Sequence, residues 1–231
     1  MLPLSPDEWT AIGLSLRIAS VATLLSLPFG IATALLLARG RFPGKSVVDA
    51  IVHLPLVLPP VVTGFALLLL FGRRGPIGSI LADLGIVLAF RWTGAVLAAA
   101  VMAFPLMVRA IRLSIEAIDP RLEAAAGLLG ASRARTFLLI TLPLAAPGIL
   151  VGALLAFAKA LGEFGATITF VSNIPGETQT ISAAIYSLTQ TPGGDVPALR
   201  LAVIAAAIAL AALVVSELLQ RRAVARVSGL A

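Results

Sequence analysis

Long apolar runs separated by short polar, mostly basic segments set the pattern of this chain. Ile12 to Ala38 is apolar apart from Arg17; Val47 to Phe71, Gly94 to about Leu113, Phe137 to about Phe170 and Ala198 to Leu219 follow. At about 1.5 Å per residue, each run is long enough to cross the roughly 30 Å hydrocarbon layer of a bilayer. The fourth is longer than a crossing needs, so one of its ends is expected outside the lipid. Residues 77–90 carry Asp83 and two glycines and are too short to span. They read as a re-entrant or interfacial segment. The pattern predicts an all-α integral membrane protein with five transmembrane helices, organised as a single domain over residues 1–231.

Composition supports that class. Hydrophobic residues make up 59% of the chain and charged ones 12%, with a mean hydropathy of +1.06, far too apolar for a soluble domain. With no cysteine there is no disulfide framework, thiolate metal site or thiol nucleophile. A net charge of +6 raises the possibility of a nucleic-acid partner, but the basic residues lie at the ends of apolar runs and act as topology determinants. Residues 39–46, 109–136 and the C-terminal tail share one side in a five-span arrangement. That side collects Arg39, Arg41, Lys45, Arg109, Arg112, Arg121, Arg133, Arg135, Arg221, Arg222 and Arg226, against Arg73, Arg74, Arg91 and Arg200 on the other. The positive-inside rule makes the first side cytoplasmic, with the N-terminus outside and the C-terminus in the cytoplasm. The first run lacks a basic leader and is too long for a cleavable signal peptide.

Polar and helix-breaking residues inside the runs mark candidate sites. His53-Leu-Pro55-Leu-Val-Leu-Pro59-Pro60 places three prolines in the second run. Proline removes a backbone donor and bends a helix, so Pro55, Pro59 and Pro60 predict either a broken helix lining a pathway or a kink fitted to its neighbours. Lys159 and Glu163, four apart in the fourth run, face the same side and can neutralise one another. Ionisable groups in a span line a cavity or join helices; both readings stand for this pair. Arg17 is expected to snorkel to the outer surface, and Arg112 and Glu116 form a second i, i+4 pair at the cytoplasmic end. His53 has no second metal-type ligand at helical spacing, so no metal site is expected. Ser172 to Pro197 reads as an outer hairpin, a lid or a docking surface, with a turn at Asn173-Ile-Pro-Gly176 and helical potential over 178–190. The Gly-Lys-Ser at 44–46 lacks the upstream glycine and the strand of a phosphate-binding loop. The chain is therefore not expected to hydrolyse ATP, to bind a cofactor or to hold catalytic residues.

Residues 119–136 carry the most information. Asp119 can cap a helix, Pro120 suits its first position and Gly130 can close it. Leu122, Ala125, Ala126 and Leu129 recur at i, i+3, i+4 and i+7 and present one small apolar face. Lipid has no use for a short capped helix in a cytoplasmic loop, so it reads as a plug for another protein's groove. Ala125, Ala126 and Gly130, then nine residues and Ile140-Thr-Leu-Pro143, resemble the signature loop of bacterial ATP-binding-cassette (ABC) importer permeases. The glutamate position of that signature holds Ala124, with Glu123 one place earlier.

The resemblance covers nearly the whole chain and is most specific to permease subunits of bacterial molybdate importers. It is carried by Phe42-Pro-Gly-Lys45, the three-proline run, Gly72-Arg-Arg-Gly75, Ala103-Phe-Pro-Leu-Met-Val-Arg109, Gly162-Glu-Phe-Gly-Ala-Thr-Ile-Thr-Phe170 and Ser172-Asn-Ile-Pro-Gly-Glu-Thr178. It implies a type I importer fold and a homodimer in the cytoplasmic (inner) membrane. Its partners would be membrane lipid, two copies of an ATPase subunit that uses ATP and Mg, and a periplasmic molybdate-binding protein. The loop at 119–136 would then couple the ATPases to the membrane helices. The alternatives are the same architecture serving tungstate or sulfate, a secondary transporter or channel, and a purely structural membrane subunit. A secondary transporter predicts an inverted repeat, and none is evident.

Overall fold

The computed structural model describes residues 4–228, with side chains for residues 4–215, 217 and 218; Arg221, Arg222 and Arg226 fall outside that set. Every regular element among the described residues is helical. The first, α1 (Pro6–Arg39), opens with a capping box: the Ser5 hydroxyl accepts from the Glu8 N–H, and the Glu8 carboxylate accepts from the Ser5 N–H. This satisfies two of the donors that every helix start leaves open. At 34 residues and about 50 Å, α1 exceeds the thickness of the hydrocarbon layer.

The middle of the fold is α5 (Trp92–Glu116), whose apolar window is 61% buried. It lies between α1 and α8 (Leu142–Leu161). A point within the first half of α1 and its C-terminal end meet the two ends of α5 in order. The Arg17 guanidinium stacks over the Trp92 ring at 3.8 Å, and Arg39 donates to the Ile118 carbonyl at 3.1 Å. α1 and α5 therefore run parallel, and residues 40–91 carry the chain back between them. Glycine sets the close approach of α8 to α5. A Cβ at Gly148 would sit 2.1 Å from the Ser114 Cβ, and one at Gly152 would lie 3.0 Å from the Met107 carbonyl oxygen. Those two contacts run in opposite senses along the helices, so α8 is antiparallel to α5.

Two expected runs are interrupted. The second is not one helix but two, α2 (Lys45–Val57) and α3 (Pro60–Phe71), bent by 114°. Pro59 and Pro60 remove two successive N–H donors, and the residue before a proline is pushed out of the helical region; Leu58 is accordingly extended, at φ −70°, ψ 142°. The fourth run comprises α7 (Arg133–Thr136), a π-helical stretch (Phe137–Thr141), α8, a break at Gly162–Phe164, and α9 (Gly165–Val171). Pro143 lacks the N–H that would reach the Leu139 carbonyl, and the chain widens into the π-turn just before it, where Leu142 donates to Phe137. The two interruptions pack on each other: a Cβ at Gly165 would meet Pro60 at 2.7 Å, and one at Gly64 would meet the Ala166 carbonyl at 2.4 Å.

Between α3 and α5 lies α4 (Pro76–Asp83), only eight residues long, in the segment expected not to span. The segment after α9 turns through Gly176 at φ +79° into α10 (Ile181–Thr189). Its first N–H donates to the Ser15 hydroxyl of α1 at 2.7 Å. The last helix, α11 (Asp195–Ser228), starts beside the start of α1, where Arg200 grips the buried Glu8 carboxylate at 2.7 and 2.9 Å. Between α5 and the π-helical stretch sits α6 (Pro120–Leu128). Among the described residues four helical stretches are long and apolar enough to cross a membrane, and a fifth if α2 and α3 are counted as one broken span.

Candidate docking helix and buried ion pairs

Local chemistry closes α6 at both ends. The Asp119 carboxylate accepts from the Arg121 N–H at 2.9 Å. At the other end Gly130 adopts φ +83°, while the Gly130 N–H donates to the Gly127 carbonyl and the Ala131 N–H to the Ala126 carbonyl, both at 3.0 Å. This is a complete Schellman closure, which requires the left-handed conformation that glycine adopts without strain.

The side chains of α6 are offered outward, and none of its residues is fully buried. Leu129 is 89% exposed and Leu122 47%, with Ala125 exposed and Ala126 half-buried. The face read from the sequence omitted Leu128, which at 91% is the most exposed large hydrophobic residue described. Its position, next to Leu129 and two residues before the closing Gly130, was the available signal. Beside α6 a groove of about 860 Å³ runs between α5 and α8, lined by Arg109, Leu113, Asp119, Leu122, Pro147 and Leu155 among others.

Glu123 points inward from the same helix. Its carboxylate lies 3.2 Å from Arg39 Nε at the end of α1 and accepts from the Thr141 hydroxyl at 2.8 Å. Thr141 is buried at the last position of the π-turn. One carboxylate thus joins α6 to α1 and to the start of α8, through Arg39 and through Thr141 of the Ile140–Pro143 segment. Ala124, at the signature's acidic position, is exposed. Replacing Glu123 with Ala removes charge-assisted bonds worth about 1–3 kcal/mol together. We expect proteolysis of the 117–136 loop in the intact protein to speed up severalfold, with a fall of a few degrees in the melting temperature. An unchanged cleavage rate would mean that the carboxylate does not hold the loop.

Lys159 Nζ lies 2.6 Å from Glu163 Oε2, with the Glu163 side chain 2% exposed and that of Lys159 32%. The other carboxylate oxygen accepts from the Ala166 N–H at 3.1 Å, so Glu163 also caps the start of α9 across the break. Pro55 lines an apolar groove of about 740 Å³ between α1, α2 and α5, whereas Pro59 and Pro60 form the hinge. Arg112 holds Glu116 at 2.7 Å and also Asp49 of α2 at 3.0 Å. The sequence reading did not single out Asp49; its i, i+4 spacing to His53 was readable, whereas its contact with Arg112, 63 residues away, leaves no local spacing. The His53 Nδ1 faces the same Asp49, 2.9 Å from its carbonyl and 3.2 Å from its carboxylate. Among the described residues no three His, Cys, Asp or Glu side chains gather as a metal site. Arg17, expected to snorkel, is exposed and stacks on Trp92.

Among the described residues the chain is an apolar helical bundle with one capped helix, α6, turned outward. Residues 26–229 match the family described as the binding-protein-dependent transport system inner membrane component, and the chain belongs to that family. It is a transport component rather than an enzyme. Among its relatives, the molybdenum transport system permease protein ModB of Escherichia coli K12 is 62% identical over 219 residues, covering 94% of this chain and 96% of the relative. The ModB of Haemophilus influenzae is 56% identical over 216 residues, covering 93% and 94%. The fold matches a chain in the crystal structure of a bacterial ABC transporter involved in the import of the acidic polysaccharide alginate, with a TM-score of 0.75 and 21% identity, over 95% of this chain and 80% of that one.

Proposed function

We propose that this chain is the permease subunit of an ATP-driven ABC importer that moves molybdate across the cytoplasmic membrane by alternating access. The observation that carries the reading is α6, a capped helix that presents Leu128 and Leu129 to no partner among the described residues and is anchored to two long helices through Glu123. The relatives named for molybdenum transport, similar over nearly their full length, supply the substrate class.

In this reading the bent α2–α3 pair is one crossing, which gives five. The basic-residue asymmetry then puts α6 in the cytoplasm and the start of α1 outside. The chain forms a homodimer. The apolar windows of the 133–161 stretch and of α11 are only 17% and 11% buried, so two copies about a two-fold axis have wide small-residue faces to enclose a route between them. Two ATPase subunits, which bind ATP and Mg, dock at α6, and a periplasmic binding protein delivers the dianion. ATPase closure displaces α6, and Glu123 passes that movement to α1 and α8, shifting the bundle between two packings.

Uptake of radiolabelled molybdate into proteoliposomes tests this reading, using the chain with its co-purified ATPase and binding protein. ATP-dependent uptake blocked by tungstate and not by sulfate is the expected result. Uptake without the ATPase would overturn the ABC mechanism. Hydrolysis stimulated only by a sulfate-loaded binding protein would keep the architecture and change the substrate.

A further inference from the structure

The positive-inside asymmetry leaves three arginines unexplained at the opposite end of the bundle. Arg73 and Arg74, just beyond the end of α3, and Arg91, the N-cap of α5, are all exposed and line one pocket of about 610 Å³. Among the described residues none of the three takes part in an ion pair. The only acid on α4, Asp83, is exposed and does not line the pocket. Three unneutralised guanidinium groups around one concavity repel each other and call for an anion.

The rest of that neighbourhood is apolar and turned outward. Ile77, Ile80 and Leu84, at i, i+3 and i+7 along α4 and its cap, are 40, 62 and 71% exposed, and Ile86 is 48% exposed. The pocket wall includes Leu68, Leu69 and Phe90. Leu69 is 58% exposed and Phe90 51%. Phe90 also holds φ at +60°, a left-handed conformation that is strained for a residue with a side chain, and it lines the pocket. An exposed apolar stripe on a short helix, continuous with the apolar end of a long one and edged by arginines, is the arrangement of an element lying in the bilayer surface. Its apolar face meets acyl chains, and its cations stand at the height of the headgroups.

We propose that Arg73, Arg74 and Arg91 hold the phosphate of an anionic phospholipid, whose acyl chains lie along Leu69, Phe90 and the exposed face of α4. Lipid is preferred over an acidic protein surface because the pocket is walled by exposed leucine and phenylalanine, which chains of the same leaflet cover without any further partner. The site requires only that this end of the bundle meets a bilayer surface. It is independent of the transported anion, so its failure would leave the importer reading intact.

The chain has two tryptophans, Trp9 and Trp92. Trp92 lines the groove between α1, α2 and α5 and not the arginine pocket, whereas Phe90 lines that pocket, so Trp9→Phe/Trp92→Phe/Phe90→Trp leaves one fluorophore in the pocket wall. In nanodiscs holding that full-length chain, lipids brominated high on the acyl chain are to be compared as phosphatidylglycerol and phosphatidylcholine. Phosphatidylglycerol should quench the fluorophore at position 90 with an apparent association roughly tenfold stronger, within what three arginines at an anionic surface supply. Arg73→Gln/Arg74→Gln/Arg91→Gln should abolish the preference, and the corresponding triple lysine variant should keep most of it. Equal quenching by the two lipids would overturn the proposal. So would a preference that survives the glutamine variant. A glutamine variant that binds the solute-binding protein more weakly, in a chain that never showed a lipid preference, would assign the arginines to protein docking instead.

Discussion

Replacing Lys159 with Met destabilises the purified protein by about 3–5 kcal/mol, the cost of leaving a buried carboxylate without its counter-ion, and the further replacement Glu163→Met recovers most of that loss. The asymmetry follows from the geometry. The Glu163 side chain is 2% exposed, and its partner at 2.6 Å is the one cation that faces it among the described side chains. Without Lys159, Glu163 keeps only the Ala166 N–H, too little to hold a charge away from water. Removing both groups instead leaves apolar side chains of similar length, an exchange that is often neutral for buried pairs. Recovery stays incomplete by about 1 kcal/mol, because the Ala166 N–H loses its acceptor. Thermal melts in detergent give the three values. Transport by the double variant then separates the two readings of the pair. If Lys159 and Glu163 only join α8 to α9, uptake by the stable double variant stays within about twofold of the parent, a change of under roughly 0.5 kcal/mol. A stable double variant without uptake would place the lysine on the anion's route.

What the sequence revealed and what it hid divide along physical lines. Apolar length is a local property, so the spans at 12–38, 94–113 and 198–219 were legible and correspond to α1, α5 and α11. Asp119, Pro120 and Gly130 each act within one turn of the helix they close, so α6 was legible to within a residue or two. The break at Leu58 and Pro59 was signalled by three prolines, but whether prolines kink a helix or end it depends on what the next segment packs against. Here α3 is drawn onto α9 through Gly64 and Gly165, and hydropathy does not encode that contact. Glu123 illustrates the same limit. Its place in the loop was evident, yet its partners Arg39 and Thr141 lie 84 and 18 residues away. Asp49 and Arg200 were likewise invisible as partners until α2 lay beside α5 and α11 beside α1.

Substituting Leu128 and Leu129 with Asp should cut ATP-dependent uptake by at least tenfold and leave the melting temperature of the permease unchanged. The two leucines are 91 and 89% exposed, so the isolated chain loses almost no packing when they change. Covering a leucine side chain contributes about 1.5–3 kcal/mol, and even one leucine's share corresponds to a tenfold or greater change in affinity. Two carboxylates facing an apolar groove add a desolvation cost in the same direction. The loss should therefore appear first as failure of the ATPase to co-purify, and only then as lost transport. Gly130→Ala provides the contrasting case. A Cβ there meets nothing within 4 Å, so the change costs only the left-handed backbone, about 1–2 kcal/mol, and α6 frays at its closing end while its leucines remain. That variant should keep the ATPase bound yet hydrolyse ATP with weakened dependence on the loaded binding protein, because the helix end that transmits closure in the proposed mechanism is no longer fixed. Should the aspartate variant still co-purify with its ATPase and transport at the parent rate, α6 would not be the docking element.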